Sequence, residues 1–115
     1  MYGLTVRWSL TEAPEGAEEA LRSYVTGTSL ARFSAMDGLG FKTWRMRAGE
    51  WFEGTYVWAT QDERDAFAAQ FGATGSDNPG SQLIGSAPSV IETFEVVAVA
   101  EGRAHFTPGP GPGPD

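Results

Sequence analysis

Residues 41–60 read FKTWRMRAGEWFEGTYVWAT and predict an antiparallel β-hairpin. Both halves are rich in the aromatic and β-branched residues that favour strands, and AGE at 48–50 supplies a three-residue connection with a glycine for the positive-φ position. We therefore place strands at 41–47 and 51–60. The same stretch holds three of the four tryptophans and the only lysine of the chain. It is both the centre of the predicted sheet and the first candidate for a functional site.

The segment before the hairpin predicts a strand and an interrupted helix. Residues 2–10 alternate between apolar and polar side chains, which is the period of a strand. An amphipathic stripe over residues 17–25 predicts a helix of about three turns. The stripe loses its phase near Gly27 and resumes at Leu30, so we expect a break there followed by one or two further turns.

The segment after the hairpin predicts a second helix and a fourth strand. Residues 61–71 form the helix, with Thr60 as its N-cap, and residues 89–100 form the strand. Between them, only a short helical turn from Asn78 to Gly85 is predicted. The order β-α-β-β-α-β predicts an α+β, ferredoxin-like fold, in which both helices cover one face of a four-stranded antiparallel sheet.

Composition limits the function classes. The 115 residues carry a net charge of −7 and no cysteine. This charge disfavours binding to nucleic acid or to an anionic membrane surface, and the lack of cysteine removes disulfides and thiolate chemistry. We expect one folded domain at 1–102 and a disordered Gly/Pro-rich tail at 103–115. No signal peptide or apolar span is recognisable, so a cytoplasmic location is expected.

The predicted fourth strand is apolar on both faces. A sheet covered on one side by helices should have a polar outer face, yet Val90, Phe94 and Val96 alternate with Ile91 and Val97. The chain has no further segment to cover the second face. The sequence therefore predicts a homodimer that forms through the open face of the sheet.

Three motifs resemble those of the YdhR-type mono-oxygenases, a family of the dimeric α+β barrel superfamily. They are Gly-Leu-x-Phe-Lys-x-Trp at 38–44, Glu-Gly-x-Tyr-x-Trp at 53–58 and the helix start QDERDAF at 61–67; FEVVAVAEG at 94–102 is similar to the family's last strand. The chain departs from the family pattern at Asp37, Glu53 and Trp58, where proline, glycine and phenylalanine are usual. The resemblance implies a dimeric α+β barrel and a cofactor-free mono-oxygenase of the polyketide type.

A pocket is predicted where the two hairpin strands face each other. Lys42 and Trp44 share one face of their strand, and Tyr56 and Trp58 share one face of the other. If these faces align, aromatic walls surround one cation and one phenol, which suits a planar, acidic aromatic molecule. Lys42 and Tyr56 are the candidate catalytic residues. The candidate substrate-binding residues are Trp8, Trp44, Trp58 and Phe94.

Such a pocket is restricted to acid–base and electrostatic chemistry. The single histidine, His105, lies beside the tail, and no glycine-rich phosphate loop follows the first strand, so we expect neither a metal nor a cofactor. Lys42 would stabilise the anion of a phenol or 1,3-dicarbonyl compound, and Tyr56 would donate or relay a proton.

Alternatives to this hypothesis remain open. The same pocket would serve a mono-oxygenase, a cyclase or isomerase, or a non-catalytic dimeric module that binds a hydrophobic metabolite. The tryptophans could be core or dimer-interface residues, and Lys42 could extend from an edge strand into solvent. Arg45 and Arg47 are expected to be solvated, or paired with Glu50 and Glu53, rather than to act in catalysis.

Overall fold

The computed structural model describes residues 1–111. Four strands form one antiparallel sheet in the order β2-β3-β1-β4, with β1 at Tyr2–Ser9, β2 at Leu39–Arg47, β3 at Trp51–Trp58 and β4 at Val90–Glu95. The helices are α1 at Ala17–Tyr24, α2 at Leu30–Ser34, α3 at Gln61–Thr74 and α4 at Pro79–Ile84. This arrangement is the predicted ferredoxin-like α+β fold.

The core lies between one face of the sheet and the helices. Leu4, Val6 and Trp8 alternate along β1 with more polar residues, and they are 0%, 0% and 4% exposed. Leu21 of α1 and Phe67 of α3 pack against them in the same apolar cluster. Alternation along the strands thus gives the sheet one face that is covered by helices and one that is open.

The predicted break near Gly27 is a π-helical turn. Residues Val25–Ser29 continue α1 directly into α2, with the wider turn that π geometry produces. The extra residue in this turn rotates the helix, so the apolar stripe changes phase without a loop. As a result Phe33 points into the core and is 6% exposed.

The fourth strand is shorter than predicted. It ends at Glu95 instead of Ala100, although the backbone N–H of Val96 still donates to the carbonyl oxygen of Met1 at 3.1 Å. The pairing of β4 with β1 ends at Tyr2 and Glu95. Val97 and Val99, which follow, are 92% and 52% exposed.

Arg64 in the first turn of α3 is buried. It is 8% exposed, and its Nη1 donates to the carbonyl oxygens of Gly3 at 3.1 Å and Phe94 at 3.0 Å. The guanidinium group thus connects α3 to both β1 and β4. The predicted N-cap of this helix is confirmed, because Thr60 Oγ1 accepts from the Glu63 N–H at 3.2 Å.

Residues 96–111 form neither helix nor strand. Phe106 within them is 66% exposed. The last four residues of the predicted tail, 112–115, lie outside the described residues, and disorder over 103–115 stays a prediction. In residues 1–111, no helix combines the length and apolarity required to cross a membrane.

Candidate functional site

A cavity of about 280 Å³ lies between the covered face of the sheet and the helices. Three of the four strands contribute to its lining: Trp8 from β1, Lys42 and Trp44 from β2, and Gly54 and Tyr56 from β3. The cavity is therefore built on the rigid part of the fold. Its helix side is lined by residues from α1, α2, α3 and the segment before α4.

The hairpin register brings the two predicted catalytic residues together. Lys42 pairs with Tyr56, and Trp44 pairs with Gly54, as the three-residue connection predicts. A Cβ atom on Gly54 would lie 3.2 Å from Lys42 Cε and 3.2 Å from Tyr56 Oη. Both side chains thus converge over a position where only a glycine leaves them sufficient room.

The amine of Lys42 is surrounded by aromatic rings. Its Nζ lies 3.5 Å from the ring centroid of Phe33, 4.4 Å from that of Trp44 and 4.3 Å from that of Tyr56. Within residues 1–111, no hydrogen bond or ion pair involves this amine. Lys42 consequently does not extend from an edge strand into solvent; it lies in the cavity.

The surroundings of Lys42 favour its neutral form. The ring faces attract an ammonium group, but burial opposes a charge more strongly. Burial, together with the positive charge of Arg32, lowers the pKa of Lys42 to about 6. At neutral pH most molecules therefore hold an uncharged amine with a free electron pair.

The pKa of Tyr56 is shifted in the opposite direction from that of Lys42. Burial raises the pKa of the Tyr56 hydroxyl well above its ordinary value, and the charge of Arg32 reduces this effect only partly. The hydroxyl group is therefore protonated over the physiological pH range. It can donate a hydrogen bond to an oxygen atom in the cavity, but it is a poor base.

Trp58 and Phe94, two of the predicted substrate-binding residues, do not line the cavity. Trp58 is 4% exposed and stacks behind Tyr56, with ring centroids 6.2 Å apart. Phe94 pairs with Gly3 and its ring covers that glycine, on the open face of the sheet. The pairing of β4 with β1 decides which face Phe94 takes. Trp8 and Trp44 do line the cavity.

Sequence reasoning missed the contribution of the helices to the site. Arg32 and Phe33 come from α2, and Phe71 and Asp77 come from α3 and the turn that follows it. Phe33 was visible only as one position in a helical stripe. Because the apolar stripe changes phase at the π-helical turn, the sequence did not indicate that Phe33 faces Lys42. No sequence signal indicated Arg32.

The segment 72–88 closes one end of the cavity and is partly anchored. Asn78 caps α4 by accepting from the Ser81 N–H at 3.0 Å, which confirms the predicted helical turn. Ser81 Oγ accepts from Trp8 Nε1 at 2.9 Å and donates to the Gly75 carbonyl at 2.8 Å. Asn78 and Gly80 line the cavity beside these contacts.

A second, larger cavity of about 1030 Å³ adjoins the first. Phe33, Lys42 and Trp44 line both cavities, so the two spaces meet at the amine. Residues 106–111 contribute the outer wall of the larger cavity. A molecule with more than one ring can therefore extend from the amine into the larger space.

The open face of the sheet carries a charged cluster that is separate from the cavity. Glu53 is 2% exposed, accepts from Arg7 Nε at 2.7 Å and from Arg45 Nε at 2.5 Å, and also bonds to Thr55. Burial raises the pKa of Glu53, but the hydrogen bonds from Arg45, Arg7 and Thr55 outweigh it, so the pKa lies below its ordinary value. Of the two states that the sequence left open for Arg45, solvated or paired, the structure shows the paired one.

A second ion pair joins the end of β2 to the hairpin connection. Arg47 Nε lies 2.5 Å from Glu50 Oε2, and both side chains are exposed.

Among residues 1–111, no group of three or more His, Asp and Glu side chains has an arrangement that could hold a metal ion.

Comparison with known proteins supports the fold. No protein-family model and no curated protein matches the chain. Among solved structures, the NE2512 protein of unknown function from Nitrosomonas europaea has a TM-score of 0.63 and 24% identity, over 88% of this chain and 93% of that chain. Rv0793 from Mycobacterium tuberculosis has a TM-score of 0.53 and 13% identity, over 87% and 98%. At these identities the likeness shows a common fold and nothing about activity.

Proposed function

We propose that the protein is a small cofactor-independent enzyme that removes a proton from an aromatic or polyketide-like substrate, most simply as a mono-oxygenase. The observation that carries this proposal is the position of the Lys42 amine, which lies beside the Tyr56 hydroxyl in an aromatic cavity where burial lowers its pKa to about 6. The resemblance of the hairpin motifs to YdhR-type mono-oxygenases supports the same reaction class.

Lys42 acts as the general base in this proposal. A neutral amine can accept a proton from a phenol or from the methylene group of a 1,3-dicarbonyl compound. The resulting ammonium group then pairs with the anion, and the three surrounding rings stabilise it. The sequence suggested a permanently charged Lys42, whereas the lowered pKa supports a role of the amine in both steps, proton removal and anion stabilisation.

Tyr56 and Arg32 assist the anion. The Tyr56 hydroxyl stays protonated and donates a hydrogen bond to the developing oxyanion. Arg32 lines the same cavity and adds a positive charge that attracts an acidic substrate.

An electron-rich carbanion in this site reacts with O₂ at its carbon atom. The methylene becomes a carbonyl, and the second oxygen atom leaves as water, so the substrate supplies all four electrons.

Oxygen uptake with a panel of anthrones and hydroxyquinones tests this function. We expect uptake by the wild-type protein, loss in Lys42→Met and reduced turnover in Tyr56→Phe. Arg47→Met is the matched control, because it removes an exposed cation from the same strand. It should behave as the wild type.

Two other outcomes have defined meanings. Substrate consumption without oxygen uptake, with a ring-closed or isomeric product, would support a cyclase or isomerase, because the same base and oxyanion donor serve that reaction. Ligand binding that quenches tryptophan emission, with no turnover of any panel member, would support a non-catalytic binding module. Either result would exclude the mono-oxygenase.

The proposal includes a homodimer of the α+β barrel type. Exposed apolar residues lie on β4 and beyond it, with Val90 at 37%, Ile91 at 41% and Val97 at 92% exposure. Residues 97–100 follow β4 and form neither helix nor strand. A second copy would cover these residues and the open face of the sheet.

A further inference from the structure

We propose that Lys42 captures small aromatic aldehydes and ketones covalently, as imines in the cavity. This activity goes beyond proton removal, although it rests on the same neutral amine as the proposed function. Lys42 then serves as a nucleophile towards a carbonyl carbon atom. The ligand class is a one-ring or two-ring aromatic carbonyl compound, since a cavity of about 280 Å³ lies at the lower end of the range for small-molecule sites.

The geometry around the amine meets the requirements of imine formation. An amine nucleophile needs a free electron pair, an apolar site and no carboxylate that would hold it as an ammonium group. The other ionisable side chains in the lining are Tyr24, Arg32, Tyr56 and Asp77. In the part of the chain that the structure describes, Asp77 makes no ion pair with Lys42, and Arg32 opposes protonation of the amine by its charge.

The aromatic rings also suit the carbonyl ligand. The ring centroids of Phe33 and Trp44 lie 3.5 and 4.4 Å from Lys42 Nζ, and both rings turn a face towards it. An aryl group attached to the carbonyl can pack on these rings while its carbonyl carbon approaches the amine. The Tyr56 hydroxyl, which converges with Lys42 over Gly54, is placed to donate to the carbonyl oxygen.

The reaction is a condensation without redox change. The nitrogen electron pair forms a bond to the carbonyl carbon, and the C=O π electrons move to the oxygen, which accepts a hydrogen bond from Tyr56. The nitrogen then loses one proton and the oxygen gains one, which gives a carbinolamine. The carbinolamine oxygen then takes a second proton and leaves as water, the nitrogen electron pair forms the C=N bond, and the nitrogen loses its remaining proton. Carbonyl and amine thus yield imine and one water molecule.

Reductive trapping tests this proposal cleanly, because Lys42 is the only lysine of the chain. The protein is treated at pH 7 with benzaldehyde and cyanoborohydride, which reduces an imine to a stable benzyl amine. Only Lys42 and the N-terminal amine of Met1 can react. Digestion and mass spectrometry then assign each added benzyl group to one of these two amines.

We expect the folded protein to carry the benzyl group mainly on Lys42. An ordinary lysine is neutral in roughly one molecule in a few thousand at pH 7, so a mostly neutral Lys42 gains on the order of 10³ in reactive amine. The same reaction in urea should lose this preference and favour Met1. Lys42→Arg, checked for folding by circular dichroism, should show only the N-terminal product.

Labelling of Met1 alone in the folded protein would overturn the proposal, as would a Lys42 that reacts no faster folded than in urea. The proposed function would fail separately. Its own test is oxygen uptake and the binding of an acidic aromatic compound, neither of which requires an imine. A protein that binds and oxidises the acidic compound but gives no trapped adduct would therefore contradict only the covalent activity.

Discussion

The ammonium form of Lys42 is disfavoured by folding, and this cost depends on pH. Its pKa falls from 10.5 to about 6, so the folded protein holds fewer protons than the unfolded chain between these values. The cost is fully present below pH 6 and disappears as the pH rises towards 10.5.

Lys42→Met should therefore stabilise the protein. The methionine retains an apolar stem and removes the group whose charge folding disfavours, and we expect a gain on the order of 3 kcal/mol at pH 7. The gain should be largest near pH 6 and shrink as the pH rises towards 10. Thermal unfolding over this pH range measures it, with Arg47→Met as the control for a lost exposed charge. An unchanged melting temperature at pH 7 would contradict the assignment.

The charged form of Glu53 stabilises the folded protein, whereas the charged form of Lys42 destabilises it. The pKa of Glu53 is lowered in the folded state, so its contribution to stability is present above the ordinary value of 4.5 and is lost as the pH falls below it. Glu53→Gln leaves Arg7 and Arg45 without a negative partner. Since both arginines are partly exposed, we expect a loss of about 1–3 kcal/mol at pH 7.

Urea unfolding at pH 7 and near pH 3 checks this prediction. The difference between Glu53→Gln and the wild type should shrink at the lower pH, because below 4.5 the carboxylate takes up a proton more readily in the unfolded chain than in the folded protein. An equal difference at both pH values would show that the charge of Glu53 is not what stabilises the open face. Glu50→Gln, at an exposed pair of the same hairpin, is the matched control.

The hairpin was the part of the site that the sequence could predict. A period of two places Lys42 and Trp44 on one face, and a three-residue connection then sets Lys42 opposite Tyr56. The helix side could not be predicted, because the orientation of Phe33 depends on one extra residue in a π-helical turn. The face taken by Phe94 and the end of β4 both depend on the pairing with β1, which no local pattern reveals.

Gly54 is the position in β3 on which the convergence of Lys42 and Tyr56 depends. Gly54→Ala would bring a Cβ atom to 3.2 Å from Lys42 Cε and 3.2 Å from Tyr56 Oη, so both side chains must shift by tenths of an ångström. We expect the fold to survive with a loss of about 1 kcal/mol. Because catalytic geometry is sensitive to such shifts, activity should fall on the order of tenfold or more.

A second glycine provides the control for this substitution. Gly72 lies in α3, and a Cβ atom there would have no neighbour within 4 Å. Gly72→Ala should therefore leave activity unchanged and slightly stabilise the helix. Full activity in Gly54→Ala would show that the close approach of Lys42 and Tyr56 is not needed for the reaction.

Assembly is the largest feature that the proposal adds to the single chain. Val90 on the open face and Val97 and Val99 beyond β4 are exposed, and a homodimer that covers them with the open face should bury on the order of 1,600 Å² or more. Light scattering should give twice the chain mass at micromolar protein. The double variant Val97→Lys/Val99→Lys should shift this mass towards the monomer. A monomeric wild-type protein at this concentration would contradict the dimer.

The central claim is that Lys42 is an uncharged amine at neutral pH, and one measurement addresses it directly. Protein labelled with ¹³C at the lysine ε-carbon gives a single side-chain signal, because the chain has one lysine. Its chemical shift is followed from pH 5 to pH 11 under conditions in which the protein stays folded. The account predicts a titration centred near pH 6, in agreement with the lowered pKa of Lys42. A titration centred near the ordinary value of 10.5 would show a charged lysine and would contradict the base and the imine alike.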